Sequence, residues 1–210
     1  MKLSLLTLSA AIFPFLLVSA SNIPEIDDGY EYVTCGSIIK LTNKASEYKL
    51  HSHGVSYGSG SGQQSVTGFP EADDSNSFWI VEAAYGKVCK RGEAVPCGSS
   101  IRLKHVNTQG YLHSHRHQSP LSREQEVSCY DGKDKGDNWQ LKCKNEFWIR
   151  EEPVQFVHED THLFLSSSPN HKFGQPIPGQ LEVSASTKGS SKSTQWTAQE
   201  GIYFAANRSK

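Results

Sequence analysis

The chain has 210 residues, of which 36% are apolar and 20% charged, with a formal net charge of −1 at pH 7. That length supports one well-buried domain or two small ones, and the composition lies outside the disordered class. A balance so near neutrality lacks the basic footprint of a nucleic-acid binder.

Residues 1–20 read as a signal peptide. Lys2 is a short positive start, the run to Val18 is apolar apart from Ser4, Thr7, Ser9 and a Pro14 bend, and Val18-Ser19-Ala20 supplies small residues for cleavage before Ser21. Residues 21–31 are read as an N-terminal segment. No later stretch is long and apolar enough to span a bilayer as a helix, so no membrane insertion is expected. In a secretory compartment, Cys35, Cys89, Cys97, Cys129 and Cys143 are disulfide candidates before they are metal ligands. No C-x-x-C is present. The one N-x-S/T sequon is Asn207-Arg208-Ser209, at the end of the chain.

From there the elements recur three times. A first strand opens at Cys35-Gly36-Ser37-Ile38, again at Cys97-Gly98-Ser99-Ser100, and in degenerate form at Pro153-Val154-Gln155-Phe156. A polar turn follows, then a second strand: Tyr48-Lys49-Leu50-His51-Ser52-His53, Tyr111-Leu112-His113-Ser114-His115 and Leu163-Phe164-Leu165-Ser166. A third strand is marked by Val66, Val127 and Val183, and a fourth by Trp79, Trp139 and Trp196. Leu50 to Leu112 is 62 residues, Val66 to Val127 is 61 and Trp79 to Trp139 is 60, so the order and the spacing agree.

Each unit thus reads as four short strands joined by Gly, Ser, Asn and Pro loops. One such unit cannot cover its own apolar face. Three close into a six-strand barrel capped by three hairpins, which removes most exposed sheet edges. The expected fold is therefore all-β: a single-domain β-trefoil with pseudo-threefold symmetry over residues 32–203. Its repeats lie at about 32–86, 94–147 and 150–203, and residues 204–210 form a tail. The tryptophan trio is expected to pack the barrel. Cys35 and Cys97 open equivalent first strands, while Cys89 and Cys143 lie near repeat ends. First and last strands of a repeat are barrel neighbours in a trefoil, so the expected disulfides are Cys35–Cys89 and Cys97–Cys143, with Cys129 free.

Several stretches carry a family likeness. They are Val33-Thr34-Cys35-Gly36-Ser37, Leu50-His51-Ser52-His53, the Gly58-Ser59-Gly60-Ser61-Gly62-Gln63-Gln64 run, Asp73-Asp74-Ser75-Asn76-Ser77, and Leu112-His113-Ser114-His115 with Ser119-Pro120-Leu121-Ser122. Together they resemble the MIR domain, and more closely the stromal cell-derived factor 2 family, from about Tyr32 to Tyr203. The resemblance implies a trefoil of three MIR repeats in the lumen of the endoplasmic reticulum. It also implies work beside a lumenal J-domain co-chaperone and its BiP-type chaperone in protein quality control. One departure is the final Asn207-Arg208-Ser209-Lys210, which is not a retrieval tetrapeptide. Residence would then depend on a retained partner, with secretion as the alternative.

Other constellations look like chemistry. His158-Glu159-Asp160-Thr161-His162 matches H-E-x-x-H, but that zinc-protease motif needs a helix, and here it falls on a strand-to-strand turn. His51 with His53, and His113 with His115 and His117, alternate along strands and could converge on a metal. The competing reading puts Leu50 and Leu112 in the core and the histidines on the other face, bonded to loop carbonyls. The expectation is no metal, no cofactor and no catalytic set.

Two further functions are open to a trefoil. A lectin of the Q-x-W type would place Gln two residues before each tryptophan, but Ser77, Asp137 and Thr194 stand there. Glycan binding through another face remains the alternative to a protein adaptor. An inhibitor trefoil would need a reactive loop that the sequence does not supply. The expected module is monomeric and binds protein. Residues 57–68 form a polar Gly/Ser-rich stretch, and together with the adjacent strand they are the expected contact surface: His51, His53, Tyr57, Gly58, Gln63 and Gln64.

Overall fold

Among the described residues, twelve strands in three sets of four follow the Gly, Asn and Ser turns of the sequence. The computed structural model describes residues 26–206. The expected signal peptide, the start of the 21–31 segment, the sequon and the final tetrapeptide lie outside the described residues. The strands are β1 Ile38–Asn43, β2 Lys49–Ser56, β3 Gln64–Phe69, β4 Trp79–Ala83, β5 Ser100–His105, β6 Tyr111–Gln118, β7 Gln125–Tyr130, β8 Trp139–Lys142, β9 Pro153–His158, β10 Phe164–Lys172, β11 Leu181–Ser186 and β12 Trp196–Ile202. A one-turn 3-10 helix precedes each set's last strand, at Ser75–Ser77, Lys135–Asp137 and Lys192–Thr194.

Six strands pair antiparallel in a closed ring: β1–β4, β4–β5, β5–β8, β8–β9, β9–β12 and β12–β1. The other six form the hairpins β2–β3, β6–β7 and β10–β11. These hairpins meet one another through β3–β7, β7–β11 and β11–β3. Pairing on both sides leaves the ring with no open edge, which is what a short-stranded all-β chain needs to avoid edge-to-edge association.

Alternation along each strand sends one face inward. Ile39, Leu41, Val81, Leu103, Leu141 and Phe156 fill the barrel. Leu50, Leu112 and Leu165, together with Val66, Val127 and Val183, fill the space under the hairpins. Trp79, Trp139 and Trp196 have no solvent exposure, and each indole N–H donates to the carbonyl of Leu50, Leu112 or Leu165 at 2.9 Å. A buried indole keeps its polar atom satisfied, and the same bond ties each fourth strand to its own hairpin.

The end of the barrel opposite the hairpins is closed by backbone. Val33 N donates to Trp148 O at 2.9 Å, Trp148 N to Val95 O at 2.8 Å, and Val95 N to Val33 O at 3.1 Å. Their side chains plug the ring. Trp148, which lies outside the repeated trio, is as buried as the other three tryptophans. The disulfides are Cys35–Cys89 and Cys97–Cys143, and Cys129 is a buried free thiol.

Candidate functional site

The polar clusters that resemble chemistry lie where each hairpin sits on the barrel. Asn43, His105 and His158 end the first strands of the three sets. His105 donates from Nε2 to Asn76 O at 2.8 Å and holds the Thr108 hydroxyl on Nδ1 at 2.8 Å. His158 repeats this with Gly136 O at 3.0 Å and Thr161 at 2.8 Å. Asn43 does the same work with an amide, donating to Ser193 O at 2.7 Å and accepting from the Ser46 backbone and hydroxyl. The two imidazoles also pack against Trp79 and Trp139, with ring centroids 4.9 and 5.0 Å apart. Burial pushes both histidines below their ordinary pKa, only partly offset by the bonds to the carbonyls.

The H-E-x-x-H motif is thereby accounted for. His158 is spent on a turn that occurs three times. His162 is exposed and holds a left-handed backbone, φ 58°, as do Glu47 and Gln109 at the equivalent turns, φ 62° and 64°. Glu159 accepts from the Ser100 hydroxyl and from Asn138 Nδ2.

A second device joins the hairpins to the 3-10 turns. His51 Nδ1 lies 2.7 Å from Asp74 Oδ2, and its ring stacks on Phe69 with centroids 4.7 Å apart. Asp74 also caps its 3-10 turn through Asn76 N and accepts from Ser77. His113 Nδ1 lies 2.9 Å from Asp137 Oδ1, and Ser166 donates to Ser193 in the third set. The expectation that these histidines bond loop carbonyls is corrected here: their partners are carboxylates at a helix cap. Burial lowers the His51 pKa against the pull of Asp74. Burial alone would raise the Asp74 pKa, but the Ser77 and His51 bonds outweigh it and hold the carboxyl low.

His113, Asp134 and Asp137 bring three donor atoms within 4.8 Å of one another. The two buried members are engaged with the turn, because Asp137 Oδ1 meets His113 Nδ1 and Asp137 Oδ2 accepts from Asp134 N as half of a capping box, while Asp134 Oδ1 accepts from Gly136 N. The equivalent cluster His51, Asp74 and Ser77 has the same geometry with one carboxylate fewer. The Q-x-W comparison gains a reason as well. Ser77, Asp137 and Thr194, where a lectin of that type carries glutamine, are fully buried in these turns.

Of the six residues of the expected contact surface, His51 and Tyr57 are interior, His53, Gln63 and Gln64 are half-buried, and Gly58 is exposed. Tyr57 is buried, and its hydroxyl donates to the carbonyls of Val66 and Val127 at 3.0 Å between two hairpins. Burial raises its pKa far above the usual phenol value. Gln63 Oε1 accepts from the Ser128 hydroxyl at 2.5 Å. Glu124 accepts from Ser184 at 2.7 Å and Gln180 from Thr67 at 2.5 Å. These three bonds run from hairpin to hairpin around a circle. Gln64 Nε2 reaches Ser52 and Thr108, and Gln125 Nε2 reaches Ser114 and Thr161. His53 is half-buried with Nε2 3.2 Å from Gln180 Oε1. Of the six, only Gly58 is fully exposed. β3 begins at Gln64, so the loop itself is shorter than the 57–68 stretch. It is also pinned, because Ser61 hydrogen-bonds through its hydroxyl and its backbone N–H to the buried Glu126 carboxylate.

Sequence reasoning missed Glu124, Glu126, Gln180 and Glu182. Glu126 also meets His115 Nε2 at 2.8 Å, and Glu182 accepts from the backbone N–H groups of Leu121 and Ser122 at 2.6 and 2.9 Å. Burial works against the Glu126 charge, but the His115 and Ser61 bonds win and its pKa is lowered. The signal that could have found them is position: Gln63, Glu124 and Gln180 each stand three residues before Val66, Val127 and Val183, and Glu126 and Glu182 each stand one before Val127 and Val183.

Comparison with known proteins agrees with this frame. The MIR domain family model matches residues 48–194. Human stromal cell-derived factor 2 is 43% identical over 197 residues, covering 92% of each chain. The crystal structure of the SDF2-like protein from Arabidopsis thaliana matches with a TM-score of 0.80 at 43% identity, covering 84% of this chain and 99% of that one. The protein O-mannosyltransferase complex of S. cerevisiae matches with a TM-score of 0.76 at 27% identity, covering 90% of this chain but 28% of that one. With a family match over most of its length and relatives 43–47% identical, the chain belongs to the stromal cell-derived factor 2 family of MIR-domain proteins.

Proposed function

We propose that this protein is a non-catalytic β-trefoil adaptor of the endoplasmic reticulum lumen, acting with a lumenal J-domain co-chaperone and a BiP-type chaperone in protein quality control. The observation that carries the non-catalytic reading is where the buried ionisable side chains go. Lys40, His51, His105, His113, Glu126, Asp137, His158 and Glu182 all have partners within the protein. A catalytic acid, base or metal ligand needs a free lone pair or proton facing a site where substrate can enter. These groups are turned to carbonyls, hydroxyls, backbone N–H groups and opposite charges of the frame itself. The compartment and the partners rest on family resemblance and on the signal-peptide reading of residues 1–20.

Two disulfides and a ring closed at both ends make the frame stiff, and a stiff frame loses little entropy on docking. The test is calorimetric titration of the chain without residues 1–20 against a lumenal J-domain co-chaperone, beside a glycan array. Saturable binding to the co-chaperone with a blank array supports the adaptor. A tight glycan hit with no co-chaperone binding replaces it with the lectin.

A further inference from the structure

The three repeats differ most in how one leads to the next. Gly36 N bonds Val81 O and Gly98 N bonds Leu141 O, so Val81 and Leu141 are equivalent points. Val95 and Trp148 are equivalent members of the backbone triangle. Fourteen positions separate Val81 from Val95, but seven separate Leu141 from Trp148. The first linker therefore carries an insertion, centred on residues 84–92.

This insertion is held in place at both ends. Tyr85 N donates to Asn138 Oδ1 at 2.8 Å, Gly92 N to Cys35 O at 3.0 Å, and Cys89 is bonded to Cys35. The Arg91 guanidinium lies over the Phe204 ring at 5.1 Å. A segment so tethered could have folded its apolar residue inward, yet Val88 at its tip is 97% exposed and Tyr85 is 45% exposed. Val88 stands between two clefts. One, of about 520 Å³, is walled by Ile38, Ile80, Val81 and Phe204. The other, of about 170 Å³, is walled by Ala83, Val95, Pro96 and Ile101. Apolar surface presented on a rigid support, beside mainly apolar clefts whose acids Glu82 and Glu93 are engaged by Arg102 and by Lys90 N, is the signature of an interaction site.

Charge identifies the occupant. Residues 84–92 contain Lys87, Lys90 and Arg91 and no acid. The ammonium groups of Lys87 and Lys90 have no partner among the described residues. Arg102, which also lines the larger cleft, is already paired with Glu82 at 3.2 Å.

We propose that the insertion at residues 84–92 is the docking surface for an extended acidic segment of a partner protein. Aliphatic side chains of that segment enter the clefts beside Val88, and its carboxylates meet Lys87 and Lys90. This rests on the reading of the chain as a protein-binding module and assigns the face that binds.

The test uses a fluorescein-labelled peptide alternating Asp or Glu with Leu or Val, and its Asn/Gln counterpart. Val88→Asp and the pair Lys87→Glu with Lys90→Glu are the variants, since exposed positions leave folding intact, as thermal melts would verify. The acidic peptide should bind saturably and the neutral one at least about tenfold more weakly. Each variant should lose about tenfold or more, and rising salt should weaken the wild type. Absence of acidic-peptide binding at millimolar concentration overturns the proposal, as does binding indifferent to Val88→Asp. Two further results overturn it by naming another occupant: capture of phosphatidylserine vesicles that Val88→Asp abolishes, or self-association that the same change abolishes. Titrating the J-domain co-chaperone against Val88→Asp separates the two readings. Co-chaperone binding unaffected by the substitution sinks this surface and leaves the adaptor standing. Peptide binding without co-chaperone binding supports this surface and removes that partner.

Discussion

The hairpin end and the linker end of the barrel are held by different means. At the hairpin end, side chains do the joining: Gln63, Glu124 and Gln180 pass hydrogen bonds around a circle, and Asn43, His105 and His158 lock each turn. At the linker end, the Val33–Val95–Trp148 backbone triangle and two disulfides do it. The contrast teaches that histidines and carboxylates gathered in one place need not mark chemistry. The end rich in such groups keeps its joints at equivalent positions from repeat to repeat even where the residues change, and the end poor in them carries the one large insertion.

Breaking the linker end should have the largest effect. Replacing Cys35 and Cys89 together by Ser removes a link spanning 54 residues. Loop-closure entropy puts the loss at up to about 4 kcal/mol, read as a lower denaturant midpoint with a somewhat steeper slope, since the unlinked unfolded chain exposes more surface. The Cys97–Cys143 pair, spanning 46 residues, should lose nearly as much.

Next come the tryptophans, which separate the two ends directly. Trp139 Nε1 donates to Leu112 O, whereas Trp148 Nε1 has no acceptor among the described residues. Trp139→Phe should cost about 2–3 kcal/mol, because it leaves a buried carbonyl unpaired as well as a gap. Trp148→Phe should cost about 1 kcal/mol, since it removes volume and an already unsatisfied donor. Equal losses in chemical denaturation would contradict the assigned roles.

Acid should weaken the hairpin end selectively. His51, His105 and His158 have folded pKa values lowered by burial. An imidazole with a depressed folded pKa contributes its stability above the unfolded value of about 6.5 and loses it as pH falls toward the folded pKa. Stability should therefore be level above about pH 7 and decline below 6.5, by at most about 1.4 kcal/mol per pH unit for each histidine. Asn43 indicates the substitution that removes the charge and keeps the bond. His105→Asn with His158→Asn should flatten the decline at a cost of about 1 kcal/mol at pH 7.5. The smallest effect belongs to Glu159→Gln, which keeps one acceptor oxygen for Ser100 or Asn138 at an exposed position and should change stability by less than about 0.5 kcal/mol.

The frame was legible in the sequence because apolar landmarks keep their identity through repetition. Leu50, Leu112 and Leu165 are the same residue, as are Val66, Val127 and Val183 and the three tryptophans. The polar joints change identity from repeat to repeat: Asn43 stands where histidine does twice, and Ser166 where histidine does twice. The hairpin-to-hairpin bonds of Gln63, Glu124 and Gln180 span 65, 60 and 113 residues, so they follow from register and not from local pattern. Tyr57 misled for a related reason. Its neighbours Gly58 and Ser59 are exposed, but its own ring turns inward to place a hydroxyl between two strand carbonyls. The insertion at residues 84–92 escaped notice because spacing was read between strands of different repeats, where the extra residues pass as a long loop.

The claim that the buried histidines belong to the frame is tested most directly by nitrogen NMR of the imidazole rings of His105 and His158 across pH, with and without equimolar zinc. A ring that gives its proton to a backbone carbonyl from Nε2 and takes one from threonine on Nδ1 must be neutral and hold one tautomer. The account predicts the Nε2–H form for both residues, pKa values below 6.5, and spectra unchanged by zinc. An Nδ1–H form, a pKa at or above 6.5, or zinc-dependent shifts at His158 would contradict it.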